Sequence, residues 1–147
     1  MSKDLLDAEA ADTLHEELLG GRMTLFTGAG FSCDAFDREG QPIPSGDELR
    51  LELWKLCFGD QQPDESSLAD LFSTALARRP NALRRLLERR LTVAPASLPV
   101  HYRMWLSIPW RRAYSLNADD LESAIARRFR LPRRIEVISA LSDEVLP

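Results

Sequence analysis

Lysine is almost missing from this chain: among its 19 basic residues only Lys3 and Lys55 are not arginine. The arginines are scattered over several expected helices, so they read as compositional bias and not as a basic surface. Cysteine and histidine are equally scarce, at two each. Cys33 and Cys57 are too few and too far apart for a zinc-type cluster, and no metal is expected. They also give no disulfide framework, which fits a reducing compartment. Positive charge is in deficit, with a formal net charge of -4. General attraction to nucleic acid or to an anionic membrane is thereby excluded. No apolar run approaches the length of a membrane span. The acidic opening "MSKDLLDAEAADTLHEELL" lacks the apolar segment of a signal peptide. A cytoplasmic protein without membrane or nucleic-acid partners is expected.

What is present is ordinary for a globular domain: 147 residues, 44% hydrophobic and 29% charged. Residues 5–19 have a helical rhythm in Leu5, Leu14, Leu18 and Leu19, ended by Gly20-Gly21. Residues 22–27 are short, apolar and rich in strand formers, and predict a buried strand. After Gly28-Ala29-Gly30, residues 31–36 predict a short helix, and "DREGQPIP" an exposed loop. Ser45 and Glu48 form a capping box opening a helix to about Phe58, with Leu49, Leu53, Trp54 and Leu56 on its buried side. Helices over 68–79, 81–91 and 100–108 follow, punctuated by Pro80 and Pro109. Residues 112–116 predict a second strand, "ADDLESAIARRF" a helix with Asp119 and Asp120 in its first turn, and "RRIEVISAL" a third strand. Strands alternating with helices argue an α/β fold with a parallel sheet. The block at about 45–108 is too large for a simple crossover and reads as a helical insertion between strands one and two.

"MTLFTGAGFSC" runs a strand into a glycine turn, the arrangement by which parallel-sheet proteins let backbone approach a pyrophosphate. Only two of the three fingerprint glycines are there, because Cys33 stands in the third place. The acidic strand end about twenty residues on is replaced by the helical "GDELRLEL", which disfavours a dehydrogenase. No Gly-Lys-Ser or Gly-Lys-Thr follows, which excludes a P-loop. On local chemistry the turn is either a phosphate cradle or a corner that needs glycine for its backbone. "SLNADD" sits where the second strand ends, on the same edge. Asn117 and Asp119 there are either ligand-facing groups or, respectively, a helix N-cap and a first-turn dipole partner.

Taken together and in order, "TGAGFS", "PSGDELRLELW" and "HYRMWLSIPWRRAYSLNADDLESAI" resemble the sirtuin-like domains of bacterial anti-phage defence proteins. The likeness runs from about Leu18 to Ile125, with Ala118 where the family has tyrosine. It implies an incomplete Rossmann-like parallel sheet and NAD as substrate. By resemblance, Gly28, Ala29, Gly30 and Ser32 line the pyrophosphate site with Phe31 adjacent. Asn117 holds the nicotinamide ribose and positions the attacking water, and Asp119 faces the carboxamide. Cleaving the glycosidic bond passes through an oxocarbenium-like state, so positioning and electrostatic support do most of the work.

Two departures limit the likeness. Ile43-Pro44-Ser45-Gly46-Asp47 lacks the Phe-Arg pair of deacylating sirtuins, and there are no zinc-ribbon cysteines, so protein deacylation is not expected. The family's catalytic histidine follows the Asn-bearing strand, whereas His15 and His101 both precede Asn117. The chain is therefore expected to be the N-terminal part of a longer protein, inactive alone, with a further C-terminal or partner sensor domain and homo-oligomers as possible partners. The competing expectations are a non-catalytic module for NAD, ADP-ribose or oligomerisation, and a structural helical domain whose glycine turn is only a turn. "ARRPNALRRLLERR" reads as an amphipathic helix with a solvated arginine face, Trp54, Trp105 and Trp110 as core, and Cys33 as an ordinary thiol.

Overall fold

Asp7 starts the first helix by accepting the Ala10 N–H at 2.8 Å, so α1 runs Ala8–Leu19. The computed structural model describes residues 7–130. The Leu5 end of the expected first helix and the strand expected over "RRIEVISAL" lie outside them. Gly20 closes α1, and Gly21 turns the chain at φ 65°, where a Cβ would also stand 3.0 Å from the Pro109 carbonyl oxygen. Strand β1 follows at Thr24–Thr27.

The glycine turn is followed by one 3-10 turn, Ala29–Ser32, and not by the helix expected over 31–36. The reason lies downstream. Asp37 is 1% exposed, and its Oδ1 accepts the Glu39 and Gln41 N–H groups at 2.9 and 2.8 Å. That folds 37–41 into a tight turn, and bridges pair Phe36 with Pro42 and Asp37 with Val93. The "DREGQPIP" segment is a loop with residues 38–42 exposed, as its composition predicts, but Asp37, Ile43 and Pro44 anchor it in the interior.

Three helices then pack on one another: α2 Gly46–Phe58, α3 Leu68–Arg78 and α4 Pro80–Arg90. The Ser45–Glu48 capping box forms as the sequence predicts, and a second, Ser67–Asp70, opens α3. Pro80 begins α4 at a position where its missing N–H costs nothing. Leu49, Leu53, Trp54, Leu71, Ala75, Leu83 and Leu86 form their common core. Helix α5, Val100–Ser107, belongs elsewhere: Tyr102 and Leu106 join Ala35, Val93 and the residues of the last helix in a second core. The insertion with its own core thus ends near Arg90, short of the expected 108.

Strand β2, Arg112–Ser115, pairs parallel to β1 with Leu25 opposite Ala113 and Thr27 opposite Ser115. The last described helix, α6, runs Leu121–Phe129. Asp119 and Asp120 precede it instead of lying in its first turn. The described residues form a mixed α/β structure with a small two-stranded parallel sheet. The strand expected to be buried is only partly so: Thr27 is buried and Leu25 packs on the second core, but Phe26 is 67% exposed. Successive strand residues face opposite sides, and on the Phe26 side its ring stacks on that of Tyr114 at 5.3 Å. Among the described residues no helix is long and apolar enough to cross a membrane.

Candidate functional site

Because β1 and β2 are parallel, their carboxyl ends share an edge, and both singled-out motifs begin there. Gly28 follows Thr27 directly, and the Leu116 N–H donates to the Thr27 carbonyl at 3.0 Å, extending the ladder up to Asn117. Ser32, 2% exposed, is the hub of the edge. The Asn117 Nδ2 donates to the Ser32 Oγ at 2.8 Å, and that hydroxyl donates onward to the Asp119 Oδ2 at 2.8 Å. The other Asp119 oxygen accepts the Leu121 N–H at 3.0 Å, tying the carboxylate to the start of α6. Residues 85 and 87 positions apart are joined in one polar cluster.

Asn117 is therefore not the helix N-cap that its position also allowed; its amide is spent on Ser32. With Nδ2 so engaged, its Oδ1 is buried and has no hydrogen-bond partner among the described residues. A buried unpaired acceptor is costly and marks a place where a donor belongs. Asp119 accepts from Ser32 with one oxygen and from the first N–H of α6 with the other, the dipole-partner role that its position also allowed.

The glycines bear on the corner reading alone. Gly28 has φ -124° and ψ -178°, ordinary extended backbone, and Gly30 has no positive φ. A Cβ at either position would meet no described atom within 4 Å outside its chain neighbours. The corner therefore does not require glycine for its own conformation or packing. Ala29 lies exposed beside them, while Phe31 turns inward. The Phe31 carbonyl accepts the Tyr102 hydroxyl at 2.8 Å, and the two rings meet edge to face at 5.4 Å. Burial pushes the Tyr102 phenol up to about 12, so it stays a donor throughout the neutral range.

No family model, curated protein or solved structure matches the chain.

A second hydroxyl–carboxylate pair, which sequence reasoning missed, backs the first. The Thr27 Oγ1 donates to the Glu122 Oε1 at 3.1 Å, latching the end of β1 to α6. The signal was there in a threonine closing an apolar strand just before the glycines and a glutamate in the first turn of the later helix. The histidines stand apart from the cluster: His101 faces Asp34 at 3.5 Å, and His15 is exposed on α1. Cys33 is exposed and free. Trp54 is core as expected, donating to the Gln61 carbonyl at 2.8 Å, but Trp105 is 45% exposed. Its helix uses Tyr102 and Leu106 for the core and leaves the indole on the flank. Among the described residues no group of three or more His, Cys, Asp or Glu side chains could hold a metal ion.

Proposed function

We propose that this chain is the NAD-binding N-terminal part of a sirtuin-like NAD hydrolase, an effector of anti-phage defence built on an incomplete Rossmann-like sheet. The observation that carries the reading is the meeting of Ser32, Asn117 and Asp119 at the carboxyl edge of the parallel strands. Ligands of open parallel sheets bind at that edge. Two features of the edge fit NAD. Gly28 and Gly30 offer backbone that a pyrophosphate can approach closely. The buried Asn117 Oδ1 is an acceptor for a ribose hydroxyl or a water.

Hydrolysis breaks the bond between ribose C1′ and the nicotinamide ring nitrogen, and the electron pair stays with nicotinamide. A water oxygen bonds to C1′ and its proton passes to solvent, leaving ADP-ribose. Asn117, oriented by Ser32, positions the ribose and the water. Asp119 sets negative charge beside a centre that becomes positive and keeps lone pairs for the carboxamide. Neither histidine joins the cluster, which favours a second reading of this chain as a module that binds NAD or ADP-ribose without turnover.

Calorimetric titration with NAD tests the site in this chain. Gly28→Ala and Gly30→Ala are expected to leave stability unchanged or raise it by about 0.4–1 kcal/mol, since both backbones suit alanine. The same variants should weaken NAD binding by about tenfold or more, because a methyl group then meets the pyrophosphate. Unweakened binding removes the glycine turn from the site. In the full-length protein, Asn117→Ala should lower nicotinamide release by about 100-fold or more. Release that survives the substitution removes Asn117 from the mechanism, and no release in any activated form favours the binding module.

A further inference from the structure

An aromatic wall stands next to the glycine turn, and the reading above gives it no work. Phe31 follows Gly30 directly, and its ring meets Trp105 edge to face at 6.4 Å. Trp105 in turn lies parallel to Trp110, with centroids 6.5 Å apart and planes 10° off, and the Trp110 Nε1 donates to the Trp105 carbonyl at 2.8 Å. The indole is therefore held from two sides while 45% of Trp105 is exposed. A large aromatic surface kept rigid and left open is what a stacking platform requires, because little side-chain freedom remains to be lost when a planar ligand docks.

The direction of the wall selects the ligand. In a 3-10 turn successive side chains leave about 120° apart. Ser32 leaves toward Asn117 and Asp119, and Phe31 leaves toward Tyr102 and Trp105. A dinucleotide whose pyrophosphate crosses the glycines and whose nicotinamide ribose meets Asn117 has its other end on the Phe31 side. We propose that Trp105, backed by Phe31 and Trp110, stacks the adenine base of the bound dinucleotide. This rests on the NAD reading and adds a specificity-determining residue to it.

The test is calorimetric titration of the wild-type chain, Trp105→Leu and Trp105→Phe with NAD, AMP and nicotinamide mononucleotide. Trp105→Leu should weaken NAD and AMP by about tenfold, the usual consequence of losing a stacked base. Trp105→Phe should recover much of that affinity, and nicotinamide mononucleotide should bind all three proteins alike. AMP should also quench the tryptophan fluorescence of the wild type, a reading that needs no variant to fold. NAD and AMP bound equally by wild type and Trp105→Leu would overturn the wall and leave the NAD site standing. Weakening confined to nicotinamide mononucleotide would overturn the adenine assignment. Failure of the wild type to bind NAD at all overturns both readings.

Discussion

Arg90→Ala is expected to cost about 3–5 kcal/mol of folding stability, the penalty for stranding a buried carboxylate. Arg90 closes α4 with its side chain 13% exposed, and its Nη1 meets the fully buried Asp37 Oδ2. The Nε reaches both Glu52 oxygens at 2.9 and 3.2 Å, and Nη2 donates to the Pro42 carbonyl at 3.2 Å. One guanidinium thus ties the three-helix insertion to the segment that follows the glycine turn. Removing it leaves Asp37 charged, buried and, among the described residues, held by two backbone N–H groups alone. The apolar replacement Arg90→Met combined with Asp37→Asn should recover part of the loss, because Oδ1 keeps both N–H bonds while no charge is buried.

The same cluster has a pH signature. Burial pushes the Asp37 carboxyl up, but the Gln41 N–H, the Arg90 guanidinium and the Glu39 N–H outweigh it and hold the group below the usual carboxylate range. A depressed folded value contributes stability above the unfolded value of about 3.9 and loses it as pH falls through the folded value. Arg90→Ala removes part of that depression. The gap between wild type and variant should therefore be widest near neutrality and narrow below about pH 4. Urea unfolding of both proteins at neutral and acid pH checks this. A gap that is constant with pH would mean that Arg90 acts through packing alone.

Local signals were legible in the sequence and distant ones were not. The Ser45–Glu48 box lies within one turn of helix, and it formed where the pattern predicts. Leu49, Leu53 and Trp54 share a face by helical spacing, and that face is buried. Asp37 and Arg90 carry no such signal. They stand 53 residues apart, so the loop composition of "DREGQPIP" and the amphipathic pattern of α4 each pointed to solvent. Arg84, Arg85 and Arg89 do lie exposed, and only the arginine at the helix end is drawn inward. The strand at β1 was recognisable from its residue types, but its burial depends on what covers each side of the sheet. Ser32, Asn117 and Asp119 were singled out by motif, yet their contact needed β1 and β2 to be parallel and adjacent. Thr27 and Glu122 lie within the quoted stretches, Thr27 at the head of "TGAGFS", but no local pattern links them and only the packing of strand against helix joins them.

Asn117→Asp should make the stability of this edge depend on pH. The wild-type cluster works because a neutral amide donates to Ser32 while Ser32 donates to Asp119. A carboxylate in place of the amide has no proton to give, and one hydroxyl proton cannot serve two anions. The two half-buried carboxylates then face one another across the Ser32 hydroxyl, and their repulsion favours the protonated form of one of them in the folded protein. Its folded value is raised above the unfolded one, so folding takes up a proton and stability falls as pH rises from about 4. Asn117→Ala adds no charge, so its loss should be smaller and independent of pH over the same range. Thermal unfolding from pH 4 to pH 8 separates the two variants. Parallel curves would show that Ser32, Asn117 and Asp119 are not electrostatically coupled. The site would then lose the arrangement that orients Asn117 toward a ribose.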